Sequence, residues 1–396
     1  MTPDPTTGLK TASYNLPRTG LTEASYNRME EQQLTPPTMI DRPAPVGFWG
    51  EAWRHFRRRK LAMIALCFVI FLCLVALFAP LIVGTKPIIC KYKGEIYFPF
   101  MGYYVRSWES PVLRNDQLPH HYPTRLKELD SQSWAVYPLV YQDPYWRVRE
   151  NEWPGRPENP WGVRGAPSRL NWFGTDQQGF DVFAQMVHGT QIALSVGFIS
   201  MGLAAAIGIT VGALAGYLGG WVDMLLSRAI ELVMCIPSLV LILALVAILD
   251  NVTNWHLMAV IGVTSWTSIA RLTRAEFLKL KQMEFVTAAR AMGASWPRIM
   301  FRHVLRNALA PVLVPITFGI AAAILIESGL SYLGFGASPP NPSWGTLLKS
   351  GRNAIEQMWW LIVFPGTAIF LTVLAYNLIG EGLQEATDPR LRQSQQ

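Results

Sequence analysis

"LAMIALCFVIFLCLVALFAPLIV", residues 61–83, decides the fold class of this chain. The run carries no charged side chain and, wound as an α-helix, is long enough to cross the roughly 30 Å of hydrocarbon in a bilayer. Basic residues crowd directly before it, in "FWGEAWRHFRRRK" at 48–60. A signal peptide is the rival interpretation, but its basic region would not be roughly 60 residues long. We therefore predict an uncleaved first membrane span with its N-terminus in the cytoplasm.

The composition of the whole chain also favours a membrane protein. Of its 396 residues 51% are hydrophobic and only 15% are charged, whereas soluble domains carry about 25% charge. The net charge of +7 has two explanations, which are nucleic-acid binding and inner loops rich in Lys and Arg. The four cysteines have neither paired nor metal-binding spacing. The sequence therefore indicates no disulfide framework and no metal site.

Five further apolar runs predict six membrane-spanning helices and an all-α membrane protein. They lie at roughly 190–216, 224–249, 256–271, 308–330 and 357–380. The second of them is expected to bend at Pro237, and the third is short and contains "TSWTS". An even number of spans returns the C-terminus to the side of the N-terminus.

The distribution of charge along the chain separates the two explanations of its basic excess. The loop 271–306 carries eight basic residues against two acidic ones, whereas 250–256 has no Lys or Arg and 331–356 has two. Loops on the cytoplasmic side of a membrane are enriched in this way. The basic excess is therefore a mark of topology, and no nucleic-acid partner is predicted.

The spans divide the chain into six predicted segments. These are a disordered cytoplasmic tail at 1–45, an interfacial basic helix in contact with lipid at 46–60, the first transmembrane helix at 61–83, an extracytoplasmic segment at 84–187, a five-helix core at 188–380 that includes the cytoplasmic loop 271–307, and a cytoplasmic tail at 381–396. Within the outer segment "KYKGEIYFPF" predicts a β-hairpin. The tryptophans of this segment either dock a partner or form its small core, and His120 and His121 are interpreted as surface residues.

The cytoplasmic stretch "EFVTAARAMGASWPRIMFRHVLRNALAPV", at 284–312, predicts two short helices that meet at a glycine. Gly293 suits the left-handed turn at a helix end, and Ser295 suits the N-cap of the next helix. One face of the first helix is predicted to carry Phe285, Ala288, Ala289 and Met292. Adjacent alanines leave little to bury and permit the close approach of another protein. The alternative is a loop that packs only on its own chain.

This stretch resembles the "EAA…G…LP" loop of permease subunits in ATP-binding-cassette importers. The short helix of that loop fits a cleft on the ATPase subunit. Carried over residue by residue, the triplet lies at Thr287, Ala288 and Ala289, the glycine at Gly293 and the later leucine at Leu305. The resemblance therefore implies that this loop contacts an ATPase.

Two positions of the loop depart from the family pattern. Thr287 replaces an acid, although Glu284 lies one turn earlier on nearly the same side. Arg306 stands where proline is usual, which leaves the second helix free to run into the fifth span. Glu284 and Arg290 are predicted to flank the contact with the ATPase, with a solvated helix face as the alternative.

Other stretches narrow the resemblance. "NWFGTDQQGFDVFAQMVHGTQIALSVG", at 171–197, is similar to the signature before the second span of C-type permease subunits of oligopeptide, dipeptide and nickel importers. The likeness runs from about 53 to 392, except for much of 84–165. Phe180, Gln185 and Gln191 stand where arginine is usual. The long outer segment looks like the branch that imports longer or modified peptides.

The resemblance implies the type I importer permease core in the bacterial inner membrane. It also implies a second homologous permease subunit, two ATPase subunits and an extracytoplasmic peptide-binding protein as partners. The chain itself shows no Walker-type loop, no HExxH and no catalytic triad. We therefore predict a peptide permease that is not an enzyme and needs no cofactor.

Several polar residues within the spans are candidates for the translocation pathway. Ser265, Thr267 and Ser268 are expected to line it or to join helices to one another. Glu327 lies late in the fifth span and is a pathway candidate. Arg228 and Glu231 are spaced to pair with each other, and we favour that structural role.

Two other functions stay open on the sequence alone. A permease for nickel or another small solute would share the signature motifs. A non-transport membrane protein, such as a receptor or an intramembrane enzyme, is the second alternative, although an enzyme should show a catalytic pair within a span.

Overall fold

The computed structural model describes residues 48–118, 122–147, 165–169, 171–336, 342–352 and 354–387. The chain divides into two compact units, residues 1–51 and 52–396. Of the first unit only 48–51 are described, as a helical turn. The predicted tail at 1–45, His120, His121 and the last residues of the C-terminal tail lie outside the described residues.

Helices make up most of the described chain. They are α1 (Phe48–Arg58), α2 (Lys60–Ile82), α3 (Pro111–Asn115), α4 (Tyr122–Leu129), α5 (Val182–Leu218), α6 (Gly220–Met234), α7 (Ser238–Ala247), α8 (Asn254–Leu280), α9 (Glu284–Ala291), α10 (Trp296–Arg298), α11 (Leu305–Leu333), α12 (Trp344–Arg352) and α13 (Trp360–Thr387). A π-helical stretch, Ile299–Val304, joins α10 to α11. The strands are β1 (Ile89–Tyr92), β2 (Glu95–Tyr97) and β3 (Trp134–Val136).

Within the described residues, four continuous helices are long and apolar enough to cross a membrane: Lys60–Ile82, Val182–Leu218, Trp296–Leu333 and Trp360–Thr387. The pair of α6 and α7, bent by 80° before Ser238, is a fifth if it forms one span. The span predicted at 256–271 lies inside α8, whose Ser, Thr and Arg side chains keep it below that apolarity. The all-α membrane fold is confirmed, with four or five apolar spans by these criteria where six were predicted.

α5 and α8 form the tightest helix pair of the core. Gly208, Gly212 and Gly216 recur every four residues along α5 and lie against α8. A Cβ atom on Gly216 would lie 2.6 Å from Phe277 Cβ, and one on Gly208 would lie 2.7 Å from Trp266 O. Small residues at this spacing let two membrane helices approach backbone to backbone. The main buried cluster also takes residues from α2, α7, α11, α12 and α13.

The outer segment folds around a small antiparallel sheet. β1 and β2 form the predicted hairpin, with Lys93 (φ 49°) and Gly94 (φ 85°) at its turn. Both residues are left-handed, as a two-residue hairpin turn requires. β3 pairs with the other side of β1, so the strand order is β2-β1-β3. One face of the sheet is buried through Tyr92, which packs with residues of α3 and α4 such as Leu113 and Tyr122.

Candidate functional site

The predicted glycine turn lies at the end of α9. Gly293 has a φ of 78°, which favours glycine. Its backbone N–H donates to Arg290 O at 2.9 Å, and the N–H of Ala294 donates to Ala289 O at 3.1 Å. This pair of bonds is the Schellman motif, which satisfies carbonyl groups that the helix leaves free. The turn therefore ends α9 and sets the direction of the next helix.

α9 rests on its own chain through one side only. Val286 and Ala289 are buried, at 0% and 2% exposure, whereas Ala288 is exposed. The prediction that Ala288 and Ala289 share one free face is therefore wrong for Ala289. At about 100° per residue, Ala289 turns with Val286 toward the core, and Val286 is the larger apolar anchor. The side left open carries Glu284, Thr287, Ala288 and Arg290, with Phe285 and Met292 on its flank.

The second helix of the stretch runs without a break into the fifth predicted span. Ser295 occupies the N-cap position of α10, as predicted, although its side chain makes no capping hydrogen bond. One helix extends from Trp296 to Leu333, as the replacement of proline by Arg306 allows. Its π-helical part shifts the helix phase and buries Ile299 and Met300. Only the short turn at Gly293 therefore separates α9 from the start of a membrane-spanning helix.

Tyr217, at the end of α5, joins the elements around this site. The ring of Trp296 stacks on the ring of Tyr217, with centroids 6.5 Å apart. Lys281 Nζ donates to Tyr217 O at 2.5 Å, and the guanidinium of Arg290 lies 6.0 Å from the Tyr217 ring centroid. Residues from α9, from α10 and from the end of α8 thus converge on one residue. The segment of α9, its glycine turn and α10, residues 284–298, is called the elbow, and these contacts anchor it to the α5–α8 pair.

An ion pair adds a second anchor. The guanidinium of Arg274, on α8, contacts both carboxylate oxygens of Asp223, on α6, and its Nη2–Oδ2 distance is 2.7 Å. Two parallel bonds of this kind restrict orientation as well as distance. The ion pair therefore links α6 to α8, and Lys281 at the end of α8 contacts Tyr217.

Two family models match the chain. One, described as "Binding-protein-dependent transport system inner membrane component", matches residues 208–393. The other, described as "N-terminal TM domain of oligopeptide transport permease C", matches residues 47–93. The dipeptide transport system permease protein DppC of Alkalihalophilus pseudofirmus is 41% identical over 234 residues, 59% of this chain and 77% of that protein. The chain belongs to the permease subunits of binding-protein-dependent importers.

A second relative agrees with this family. The peptidoglycan transport system permease protein YejE of Agrobacterium fabrum is 32% identical over 358 residues, which cover 85% of this chain and 92% of that protein. Among solved structures, an inward-facing chain of the MetNI methionine ABC transporter is 18% identical and has a TM-score of 0.40, covering 50% of this chain and 95% of that chain. As an importer permease, the chain acts in the inner membrane, and its relatives are transport subunits rather than enzymes.

In this importer permease the predicted pathway residues are not equivalent. Ser268 is exposed and Ser265 is half-buried, whereas Thr267 is buried. Glu327 is 1% exposed and accepts hydrogen bonds from Ser331 Oγ at 2.7 Å and Ser328 Oγ at 3.4 Å. Its carboxylate therefore faces serines of its own chain, and Ser265 and Ser268 present the more accessible side.

The predicted pairing of Arg228 with Glu231 is confirmed. Their Nη1 and Oε2 atoms are 2.5 Å apart on α6, and both side chains are more than half exposed. Two of the three positions where arginine is usual in the family, Gln185 and Gln191, carry side chains with polar contacts. Gln185 Nε2 donates to Asp176 Oδ2 at 3.3 Å, and Gln191 Nε2 donates to Ala76 O at 2.8 Å.

Sequence reasoning missed the residues that fasten the outer ends of the spans. Trp344 Nε1 donates to Met186 O at 3.1 Å, and Trp360 Nε1 donates to Thr175 O at 2.9 Å. No local pattern marks these contacts, because each joins residues more than 150 positions apart. The glycine repeat in "GITVGALAG" (208–216) was readable as a helix-packing motif and was not used.

Proposed function

We propose that this permease forms one half of a peptide pathway and is driven by ATPase subunits that bind the open side of α9. The observation that carries the proposal is the division of α9 into two sides. Val286 and Ala289 fasten it to the chain, and its other side is free. A helix held in this way can bind a partner on its exposed side while its buried side stays packed on the permease.

The open side of α9 suits a protein partner better than water. Thr287 and Ala288 are small and exposed, so a partner can approach the helix backbone closely. Met292 is 81% exposed and Phe285 is also exposed, which leaves apolar area that a partner would remove from water. Glu284 and Arg290 supply charges at the two ends of this surface.

The anchors of α9 support its role in coupling. A movement of α9 reaches α5 through Tyr217 and Trp296, and the Arg274–Asp223 pair links α6 with α8. Since packed helices move as near-rigid bodies, displacement of the elbow would rock α5 and α8 together. The basic residues of 271–307 support a cytoplasmic position for this surface, and hence cytoplasmic termini.

The substrate we propose is a peptide, delivered by an extracytoplasmic binding protein and passed between this chain and a second permease subunit. The relatives named for dipeptide and peptidoglycan transport support the class. The relative named for peptidoglycan transport matches 85% of the chain, a share that must include part of the outer segment 84–187. We therefore favour peptides that are long or carry cell-wall sugars over free dipeptides.

The first test compares Ala288→Arg with Gln384→Arg. Both positions are exposed on a helix, but Gln384 lies on α13, away from α9. We expect the first variant to recover about tenfold less ATPase subunit on co-purification from membranes, a loss of about 1.4 kcal/mol. It should also lose uptake of a labelled peptide, and Gln384→Arg should retain both.

Two outcomes would count against the proposal. If Ala288→Arg binds the ATPase subunits and takes up peptide as the unaltered permease does, the elbow is only a packed loop. If the coupling holds but uptake of a labelled peptidoglycan peptide is not favoured over that of a dipeptide, the substrate preference is wrong and the coupling site stands.

A further inference from the structure

Residues 98–108 of the outer segment have an inverted pattern of burial. This stretch contains two short 3-10 turns, Pro99–Tyr103 and Arg106–Trp108. Trp108 is 58% exposed, whereas the neighbouring Glu109 is 7% exposed. Among the side chains of the stretch that the structure describes, the other large exposed ones are also apolar or aromatic: Phe98, Met101, Tyr104 and Val105. A loop surrounded by water normally shows the opposite arrangement.

The polar groups of this stretch are turned inward and paired. The Tyr103 hydroxyl donates to Asp143 Oδ2 at 2.5 Å, and Asp143 is 2% exposed. Burial, together with the nearby Asp143 carboxylate, holds the pKa of Tyr103 well above its usual value, so the hydroxyl stays protonated and able to donate. Lys86 Nζ lies 3.2 Å from Glu109 Oε1 below the same turns. These two contacts hold the buried side of the loop in place, so the exposure of its apolar side chains belongs to an ordered structure.

The loop lies beside the outer end of the first span. The Tyr104 hydroxyl donates to Leu77 O, which belongs to α2. Leu77 precedes the end of α2 by five residues, or roughly 7 Å at the rise of an α-helix. Leu74, Leu77 and Phe78 are exposed apolar residues of α2 within one turn of this bond. The exposed apolar side chains of the loop therefore lie next to those of α2, and together they are called the apolar face.

The depth of this face in the membrane indicates which molecules contact it. α2 carries no charge from Leu61 to Ile82 and is mostly exposed, as a helix in contact with lipid should be. A loop bonded one to two turns below the end of such a helix lies at the boundary between headgroups and acyl chains. Tyr and Trp side chains are enriched at that boundary because they join an apolar ring to a polar tip.

We propose that residues 98–108 rest in the outer leaflet of the bilayer, with phospholipid as their partner, and anchor the outer segment to the membrane beside the first span. This surface is separate from the elbow and does not depend on which substrate is transported. It assigns Trp108 to lipid contact rather than to a protein-docking surface. The outer sheet would then be held at a constant height above the membrane.

The test places a photoreactive benzoylphenylalanine at single positions of the full-length permease in native membranes. Trp108 and Val105 are the test positions, and Leu74 on α2 is the lipid-facing reference. Leu129 is the control, because it is 52% exposed on the same outer segment. Its neighbour Asp130 accepts a hydrogen bond from the Lys93 backbone N–H at the hairpin turn, away from α2. After irradiation, mass spectrometry identifies the adducts.

We expect phospholipid adducts at Trp108, Val105 and Leu74 that are at least about tenfold more abundant than at Leu129. Labels at two test positions guard against one variant that fails to fold. Adducts with a second permease or with a binding protein in place of lipid would overturn the proposal. A lipid yield at both test positions no higher than at Leu129 would also overturn it.

Discussion

At the scale of single residues, Asp181 has an environment that its neighbours in sequence do not reveal. It is the N-cap of α5, and its Oδ1 accepts from the Ala184 backbone N–H at 2.7 Å. It is also 3% exposed. Burial raises the pKa of Asp181 to about 7, against the hydrogen bonds that oppose the shift. The Asp181 carboxyl thus caps α5 in a buried position, where loss of water makes its ionised form unfavourable.

This conflict predicts a pH-dependent effect of Asp181→Asn. Because the folded pKa is above the unfolded one, Asp181 favours the folded state at low pH, and this contribution is lost as pH rises toward about 7. Asparagine caps a helix about as well and cannot ionise. We expect the variant to raise the midpoint of thermal unfolding more at about pH 8 than at about pH 5. Purified permease in detergent is suitable for the measurement.

Asp116→Asn is the matched control. Hydrogen bonds from Lys93 and from Tyr92 lower the pKa of Asp116, so this carboxyl stays ionised over the same interval. Its substitution should lower stability by similar amounts at both pH values. A gain for Asp181→Asn that is equal at the two pH values would show that ionisation is not the cause.

At the scale of elements, the glycines of α5 determine how closely it meets α8. Gly212 lies where any Cβ atom would overlap Ala270 O and approach Thr273 Cβ to 2.7 Å. Both groups belong to the middle of α8 and cannot move aside without shifting the helix. The pair is thus held by van der Waals contact and requires glycine at the crossing. The elbow is attached to this pair.

We expect Gly212→Val to separate α5 from α8 and to destabilise the permease by several kcal/mol, within the range of overpacked cores and displaced backbone. Gly202→Val is the control in the same helix, because a Cβ atom there meets nothing within 4 Å. Yield of folded protein and the midpoint of thermal unfolding are the measurements. Equal values for the two variants would show that the close approach carries no stability.

At the scale of the whole molecule, the contacts around the elbow join distant parts of the chain. Asp223 and Arg274 are 51 positions apart, and Lys281 and Tyr217 are 64 apart. The Asp223 carboxylate thus lies beside a basic residue of the loop 271–306, and the Tyr217 carbonyl accepts from another. These contacts therefore join α5, α6 and α8 to one another next to the elbow.

Exchanging the two charges tests this connection. We expect Asp223→Arg and Arg274→Asp each to lower the midpoint of thermal unfolding and to reduce peptide uptake per ATP hydrolysed. The double variant should recover a coupling energy on the order of 1 kcal/mol, since the pair is only partly exposed and is doubly bonded. Losses that simply add in the double variant would mean that the pair is not an energetic link.

Much of this fold was predictable from local patterns. Charge-free runs located four spans, the Lys93–Gly94 turn located the hairpin, and Gly293 located the end of α9. Each depends on residues a few positions apart, where helix period and turn geometry act. The exposed position expected for Ala289 was wrong because packing between distant residues decides it. Two adjacent alanines carry no local preference for one side of a helix.

The sequence by itself determined a membrane chain of helices with a basic loop of two short helices and a glycine turn, because hydrophobicity, charge and glycine act within single elements. Only the tertiary structure decided that Ala289 faces the core while Ala288 faces outward, that Glu327 is enclosed by serines, and that residues 98–108 reach the first span. These three features depend on contacts between residues that are far apart in the sequence. Burial results from such contacts, so the type of a single side chain does not determine it.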